Sequence, residues 1–350
     1  MTGSGLPDVA EGRWRVLWRH AHASDPDGIT VEAGAIAVLP GEEPVVVVTE
    51  EWNNRIMGLL RCDNTEFYRL SDGVKDESAW ISFKRPFETP RIDVCDVGGM
   101  PIAVINTGRG VICYTRHPQL TLSNGLGSKE WHALDLVAGQ FGDRPVAAVT
   151  WNEPLDDSGL HVQVYDLSTG EAYSDPWQLP RACDWNFPDT WRLGRWNGRP
   201  VAAMADDWCL YVHSGATGDR EATIVLHDDW SQDGHRFGLL TIDDSAGPTL
   251  ALIGQNDGAV YCYEPAAEDL YCPPLSGYSG TLAGARLGRW RDHPTAALLT
   301  NTGISLYNLQ APDRTCHIDL DLPVHDIAFT ANDRIALVTA SGPMLIEILP

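Results

Sequence analysis

Tryptophan beside aspartate recurs along this chain. Trp185 follows Asp184, Trp208 follows Asp206 and Asp207, and Trp230 follows Asp228 and Asp229. An indole face attracts a cation through its quadrupole, and a nearby carboxylate adds charge pairing. The combination suits a basic peptide, an arginine-rich partner or a small amine. A structural reading stands beside it: aspartate favours turns, and tryptophan fills the seams between packed elements. Trp52 and Trp151 are each followed by an asparagine, Asn53 and Asn152, and Asn106, Asn256 and Asn301 repeat the amide at comparable places. One reading is a collar of amides facing a ligand. The other is hairpin chemistry, because Asn-Thr-Gly and Asn-Asp-Gly triplets turn strands back on themselves.

Acid/base chemistry has fewer candidates. His227, Asp228, Asp229 and His235 crowd one segment, and Asp206–Asp207 another. Carboxylates tuned by apolar neighbours can serve as a general acid/base pair. The alternative function is therefore an enzyme acting on a small cationic or aromatic substrate. Metalloprotease, hydrolase-elbow, Walker-type and EF-hand motifs are all missing. His20 and His22 read as a solvated pair without a third ligand. The eight cysteines are scattered, with no Cys-x-x-Cys. That spacing argues for free thiols in a reducing cytoplasm. No cofactor and no metal are expected.

Composition narrows the partners. The 350 residues carry 25 basic and 48 acidic side chains, a formal charge of −23. Nucleic acid and anionic membrane both call for a basic face, so neither is expected. No apolar run approaches the ~20 residues of a membrane span, and the start MTGSGLPDVAEGRW lacks the basic and apolar regions of a signal peptide. The expected location is cytoplasmic. With 43 % hydrophobic residues the chain can fill a large core.

The elements that would position these residues emerge from an internal repeat. RLGRWNGRPVAA and RLGRWRDHPTAA begin at Arg192 and Arg286, 94 residues apart. Related runs start at Pro44, Pro101, Pro145, Pro200, Pro248, Pro294 and, without the proline, Arg334, a mean step of about 48. Each is a short apolar strand preceded by an alternating strand and followed by a turn and a strand ending in an aromatic, as in HVQVYDL (161–167). A fourth, more polar segment follows, such as EFYRLS (66–71) or TCHIDL (315–320). These are strands A to D, counted from a central axis outward. Pro is tolerated as the first residue of a strand. Seven copies, each about the length of a four-stranded blade, predict an all-β, seven-bladed β-propeller of antiparallel blades in one domain, 1–350. The last copy, 324–349, ends after three strands. RWRVLWRH (13–20) is expected to supply the fourth and close the ring, hiding two exposed sheet edges.

In these segments the chain resembles the WD-repeat propellers, as a divergent, bacterial member. VQVYDLSTG (162–170) looks like their strand C and turn, with Tyr165–Asp166 where the family has Trp–Asp. VHDIAFTANDRIALVTASG (324–342) is similar to their A–turn–B pattern, and Gly234–His235 stands where their Gly–His stands. The resemblance implies a circular scaffold that binds proteins or peptides. Propeller geometry puts the B–C and D–A connections on one face. Here the longer connections are on that face (71–90, 152–160, 180–190, 227–236) and hold Asp184, Trp185, Asp229, Trp230 and His235, while a B–C turn adds Asp206, Asp207 and Trp208. Trp52, Asn53, Trp151, Asn152, Asn256 and Asn301 are expected at the mouth of the channel on the same face. The function expected from the sequence is a binding scaffold for a cationic peptide or small amine.

Overall fold

The runs that begin with proline are strands with no solvent side. Pro101, Pro145, Pro200 and Pro294 each sit second in a strand: Met100–Asn106, Arg144–Asn152, Arg199–Ala205 and His293–Thr300. Val146, Ala147, Ala148 and Val149 are all fully buried. Small and β-branched side chains there allow a strand to be packed from both faces. The computed structural model describes residues 14–20, 30–53, 61–76, 81–84, 90–106, 111–114, 120–122, 132–152, 159–180, 191–206, 209–226, 239–254, 258–312, 315–330 and 333–349.

Within these residues the strands assemble into seven four-stranded antiparallel sheets. In A-to-D order, sheet 1 is Thr30–Leu39, Val45–Asn53, Arg61–Arg69 and Ile81–Lys84. Sheet 2 is Ile92–Val97, Met100–Asn106, Val111–Tyr114 and Leu120–Leu122. Sheet 3 is His132–Phe141, Arg144–Asn152, Leu160–Asp166 and Trp177–Gln178. Sheet 4 is Trp191–Trp196, Arg199–Ala205, Cys209–Ser214 and Arg220–Val225. Sheet 5 is Leu239–Asp243, Leu250–Gly254, Val260–Glu264 and Asp269–Leu270. Sheet 6 is Leu282–Trp290, His293–Thr300, Gly303–Asn308 and Thr315–Asp319. Sheet 7 is Val324–Phe329, Arg334–Thr339, Gly342–Ile348 and, from the other end of the chain, Trp14–Arg19.

Strand A of each sheet touches strand A of the next, and the series returns from sheet 7 to sheet 1. The core is accordingly divided among the seams. Ile105 and Phe67 lie between sheets 1 and 2, and Val104 and Trp151 between 2 and 3. Val338 and Val46 fill the seam between sheets 7 and 1. Close approach at the seams explains the glycine in the repeated RLGRW: a Cβ on Gly194 would meet the backbone of Ile242 in sheet 5, and one on Gly288 the ring of Phe329 in sheet 7. Asn197–Gly198 (φ 50° and 75°) and Arg291–Asp292 (48° and 65°) hold both central residues of an A–B turn at positive φ. Such turns match the twist of a tight hairpin.

One strand falls elsewhere than the sequence suggests. EFYRLS belongs mainly to strand C of sheet 1, and strand D is Ile81–Lys84, inside the 71–90 segment read as a loop. Strand C there runs back to Arg61 to pair with the long strand B, Asn53↔Arg61 through Val45↔Arg69.

The N-terminal strand pairs antiparallel with Gly342–Ile348, from Trp14↔Ile348 to Arg19↔Met344. Arg15 bonds the carboxylate of Glu347 at 2.6 Å. Trp18 reaches over sheet 1: its Nε1–H donates to the Leu70 carbonyl at 3.0 Å, and its ring covers Gly73. Trp177, in strand D of sheet 3, treats sheet 4 the same way, donating to the Gly215 carbonyl at 2.7 Å and covering Gly218.

Candidate functional site

Asp206 closes strand B of sheet 4. Its Oδ1 accepts the Cys209 N–H at 2.7 Å, and its Oδ2 accepts the Tyr211 hydroxyl at 2.9 Å. Short polar side chains take this turn-closing role readily. Burial, together with the hydrogen bond to Asp206, holds Tyr211 well above the usual phenol range. The Arg220 guanidinium lies 4.8 Å from the centre of the Tyr211 ring. This corner therefore already joins an aromatic face, a carboxylate and a guanidinium, the chemistry expected of a cation site.

The other candidates are placed as follows. Trp52 and Asn53 are the last two residues of strand B in sheet 1. Trp151 occupies the same place in sheet 3, but it is fully buried in the seam with sheet 2, edge-on to Tyr165 at 6.3 Å. It packs between its own sheet and sheet 2, because strand B runs on past the proline-led core to Asn152. Asn152 follows it, half-buried. Asn301 is exposed, and its Oδ1 accepts the Thr281 N–H at 2.8 Å, tying the D–A connection to the B–C turn. Asn106 is buried and donates Nδ2–H to the Ala133 carbonyl at 2.8 Å. These two amides act on the protein's own backbone. Asp184, Trp185, Asp207, Trp208, Asp229, Trp230, His235 and Asn256 lie outside the described residues.

A second set of side chains, which the sequence reading passed over, lines the innermost strands. Asp135 in sheet 3 accepts its own Leu136 N–H at 3.0 Å through Oδ1, and Leu193 N–H of sheet 4 at 3.0 Å through Oδ2. Asp93 in sheet 2 does the same with Val94 and with Ala138 of sheet 3, both at 2.8 Å. Asp326 in sheet 7 bonds Ile327 at 2.8 Å and Ile36 of sheet 1 at 3.1 Å. Each is an ionic clamp between consecutive A strands, and hydrogen bonds to a charged acceptor are the stronger kind. Arginines answer them: Arg91 reaches Asp135 at 3.0 Å, and Arg286 grips Asp326 with two bonds of 2.5 and 2.8 Å.

Arg195 of sheet 4 goes further. It bonds Asp243 of sheet 5 at 3.0 Å through both Nε and Nη2, lies 3.4 Å from Asp244, and meets Asp93 of sheet 2 at 3.4 Å. A side chain that joins sheets 2 and 4 while skipping sheet 3 crosses the space enclosed by the A strands. Burial holds the Asp93 carboxyl above its ordinary range against the pull of Arg195, and Asp243 adds to the rise. Asp93 above all, then Asp243 and Asp244, keep Arg195 firmly protonated. The available signal was a charged residue at an alternating position inside an otherwise apolar A strand, as in IDVCDV and VHDIAF. Among the described residues no three His, Cys, Asp or Glu side chains are grouped to hold a metal ion, and no helix is long and apolar enough to cross a membrane.

No family model matches the sequence, and no curated protein matches it. Solved structures do. The Neurospora crassa Pan2 WD40 domain superposes with a TM-score of 0.63 over 98 % of both chains at 13 % identity. The fold is a β-propeller, similar to that of this WD40 domain. BBS1N, solved in complex with ARL6DN, gives 0.60 over 97 % of this propeller and 98 % of that chain, also at 13 % identity. The Dos1 propeller gives 0.54 over 96 % and 95 %, at 9 % identity. At such identities the likeness is one of fold, and fold does not carry function with it.

Proposed function

We propose that this propeller is a binding scaffold whose B–C and D–A face takes a cationic group, from a basic protein segment or a small amine, between tryptophans and carboxylates. Trp185, Trp208 and Trp230 would supply ring faces, and Asp206, Asp207 and Asp229 the charge. The ring that carries them is read as seven-bladed and closed by Trp14–Arg19. The location is read as cytoplasmic, and nucleic acid and membrane are not among the partners.

The observation that carries this reading is the fate of the positive charges. Among the described residues, thirteen arginines and Lys75 are engaged within the chain. Arg15, Arg69, Lys75, Arg91, Arg195, Arg199, Arg286, Arg291 and Arg334 pair with carboxylates. Arg19, Arg192 and Arg289 bond a hydroxyl or carbonyls, and Arg144 and Arg220 lie over tyrosine rings. With these fourteen basic side chains turned to the chain's own groups, 48 acidic against 25 basic residues leave an acidic balance of −23, and an acidic surface steers cationic partners. BBS1N was solved with a protein partner, which agrees with a protein ligand here.

The test is binding of arginine-rich, neutral and acidic peptides at low and high salt. Exposed ion pairs give ~0–1 kcal/mol and desolvated cation–π contacts roughly 0.5–2 kcal/mol. Trp208→Ala or Trp230→Ala should therefore weaken binding of the basic peptide several-fold, more than Asp207→Asn. Equal affinity for all three peptides would defeat the proposal.

A further inference from the structure

Two cysteines that no functional reading uses are brought together in sheet 5. Cys262 lies mid-way along strand C, fully buried, and Cys272 follows strand D, 8 % exposed. The local pairing explains how they meet. Tyr263 pairs with Leu270, and Tyr271 N–H donates to the Cys262 carbonyl at 2.8 Å. Three residues further along the partner side, the ladder resumes with Val260 and Leu275 exchanging bonds of 2.9 and 2.8 Å. Between these anchors the outer segment holds two more residues than strand C does. Pro273 and Pro274 have no N–H to give the ladder, and the resulting bulge carries Cys272. Both thiols pack in one apolar cluster, and their sulfurs are in hydrogen-bond contact. A disulfide needs α-carbons about 4.4–6.8 Å apart, a spacing typical of neighbours across an antiparallel pair.

We propose that Cys262 and Cys272 form an oxidisable dithiol, which a low-molecular-weight disulfide converts to an intrachain disulfide across strands C and D of sheet 5. The Cys272 sulfur attacks one sulfur of the small disulfide, whose S–S bond breaks. The first small thiol departs with the Cys272 proton. The Cys262 sulfur then attacks Cys272 Sγ in the mixed disulfide, and the second small thiol departs with the Cys262 proton. The protein loses two hydrogens, and the small disulfide is reduced to two thiols.

The order of attack follows from surroundings. Burial pushes Cys95 and Cys113 up to about 12 and Cys316 up to about 11. Cys272 alone among the described thiols is shifted down, by the hydrogen bond it receives from Cys262. It is also the less buried of the two. The thiolate is the attacking species. The bond would act on the next seam, because the chain just past it reaches sheet 6: Ser276 accepts the Tyr307 hydroxyl at 2.7 Å, and Leu275 and Tyr278 share a cluster with Leu309.

The test treats the folded full chain with oxidised glutathione, then unfolds it in acid, alkylates it and digests it after glutamate. Glu268 separates the two cysteines, and a second cut after arginine at Arg286 separates Cys272 from Cys316, so a Cys262–Cys272 disulfide appears as two joined peptides distinct from any other pair. The expected result is six alkylated cysteines in place of eight, with Cys262 joined to Cys272 and the chain two hydrogens lighter. Cys262→Ser should stop at a glutathione adduct on Cys272. Eight labels, a different joined pair, or an adduct that persists in the unaltered chain would each overturn the proposal.

Discussion

Replacing Asp135 by alanine is expected to cost about 3–5 kcal/mol of folding stability. The side chain is 4 % exposed and accepts from two backbone N–H groups, Leu136 in its own strand and Leu193 in the next sheet. Alanine leaves both donors without that acceptor, at about 1–2 kcal/mol each. Arg91 also loses its carboxylate. Its side chain is 22 % exposed, so water recovers part of that interaction and about 1 kcal/mol is added. Asp135→Asn keeps one acceptor and turns an amide donor toward the other N–H, so about half the loss is expected. In an Arg91→Met background, Asp135→Ala should cost about 1 kcal/mol less, since no charge is then stranded. The assay is urea unfolding followed by two probes, with Asp72→Ala as comparison. Asp72 pairs with Arg69 at 3.1 Å with its side chain 47 % exposed, where changes of about 0.5 kcal/mol or less are usual. If Asp135→Ala and Asp72→Ala are indistinguishable, the aspartate clamps do not hold the ring, and the reasoning from Asp93 and Asp326 fails with it.

Three further outcomes follow from the same geometry. Gly194→Ala should lose about 3 kcal/mol or more, because its Cβ meets the Ile242 backbone, which cannot swing aside; Gly142→Ala, at φ 65° with nothing within 4 Å, should lose only about 1 kcal/mol in the same denaturation series. Trp18→Ala and Trp177→Ala remove equivalent clasps, so thermal unfolding should show losses of about 3–5 kcal/mol that agree to within about 1; a negligible cost at Trp18 alone would mean the N-terminal strand does not close the ring. Burial lowers the His317 and His325 imidazoles below 6.5. As pH falls through 6.5 the unfolded chain takes up protons that the folded chain refuses, so stability falls. Urea midpoints at pH 8 and pH 5.5 should differ in that sense, and His325→Gln should flatten the slope.

What the sequence disclosed depended on the range of the interaction. Strand B was legible because proline followed by Val-Ala-Ala-Val has one physical use in a sheet packed on both faces. The turn at Asn197–Gly198 was legible because its two residues are those that tolerate positive φ. Strand D of sheet 1 was not: Ile81–Lys84 is four residues of weak alternation in a polar stretch, and the more hydrophobic EFYRLS drew the assignment one strand too far out. Trp151 beside Asn152 looked like a surface pair, whereas its position along strand B turns the indole into the seam against Tyr165. The largest omission was electrostatic. Arg195 and Asp93 stand 102 positions apart, and only the ring brings them within reach. No local pattern separates such an arginine from one facing water.

The central claim, a cationic partner on the B–C and D–A face, is tested most directly by hydrogen–deuterium exchange of the full chain with and without a saturating arginine-rich peptide. Protection is predicted at 153–158, 181–190, 207–208 and 227–238, the connections that the proposed function assigns to the binding face. Protection confined to the A–B turns at 142–143, 197–198 and 291–292 would contradict the account, as would no protection at any peptide concentration.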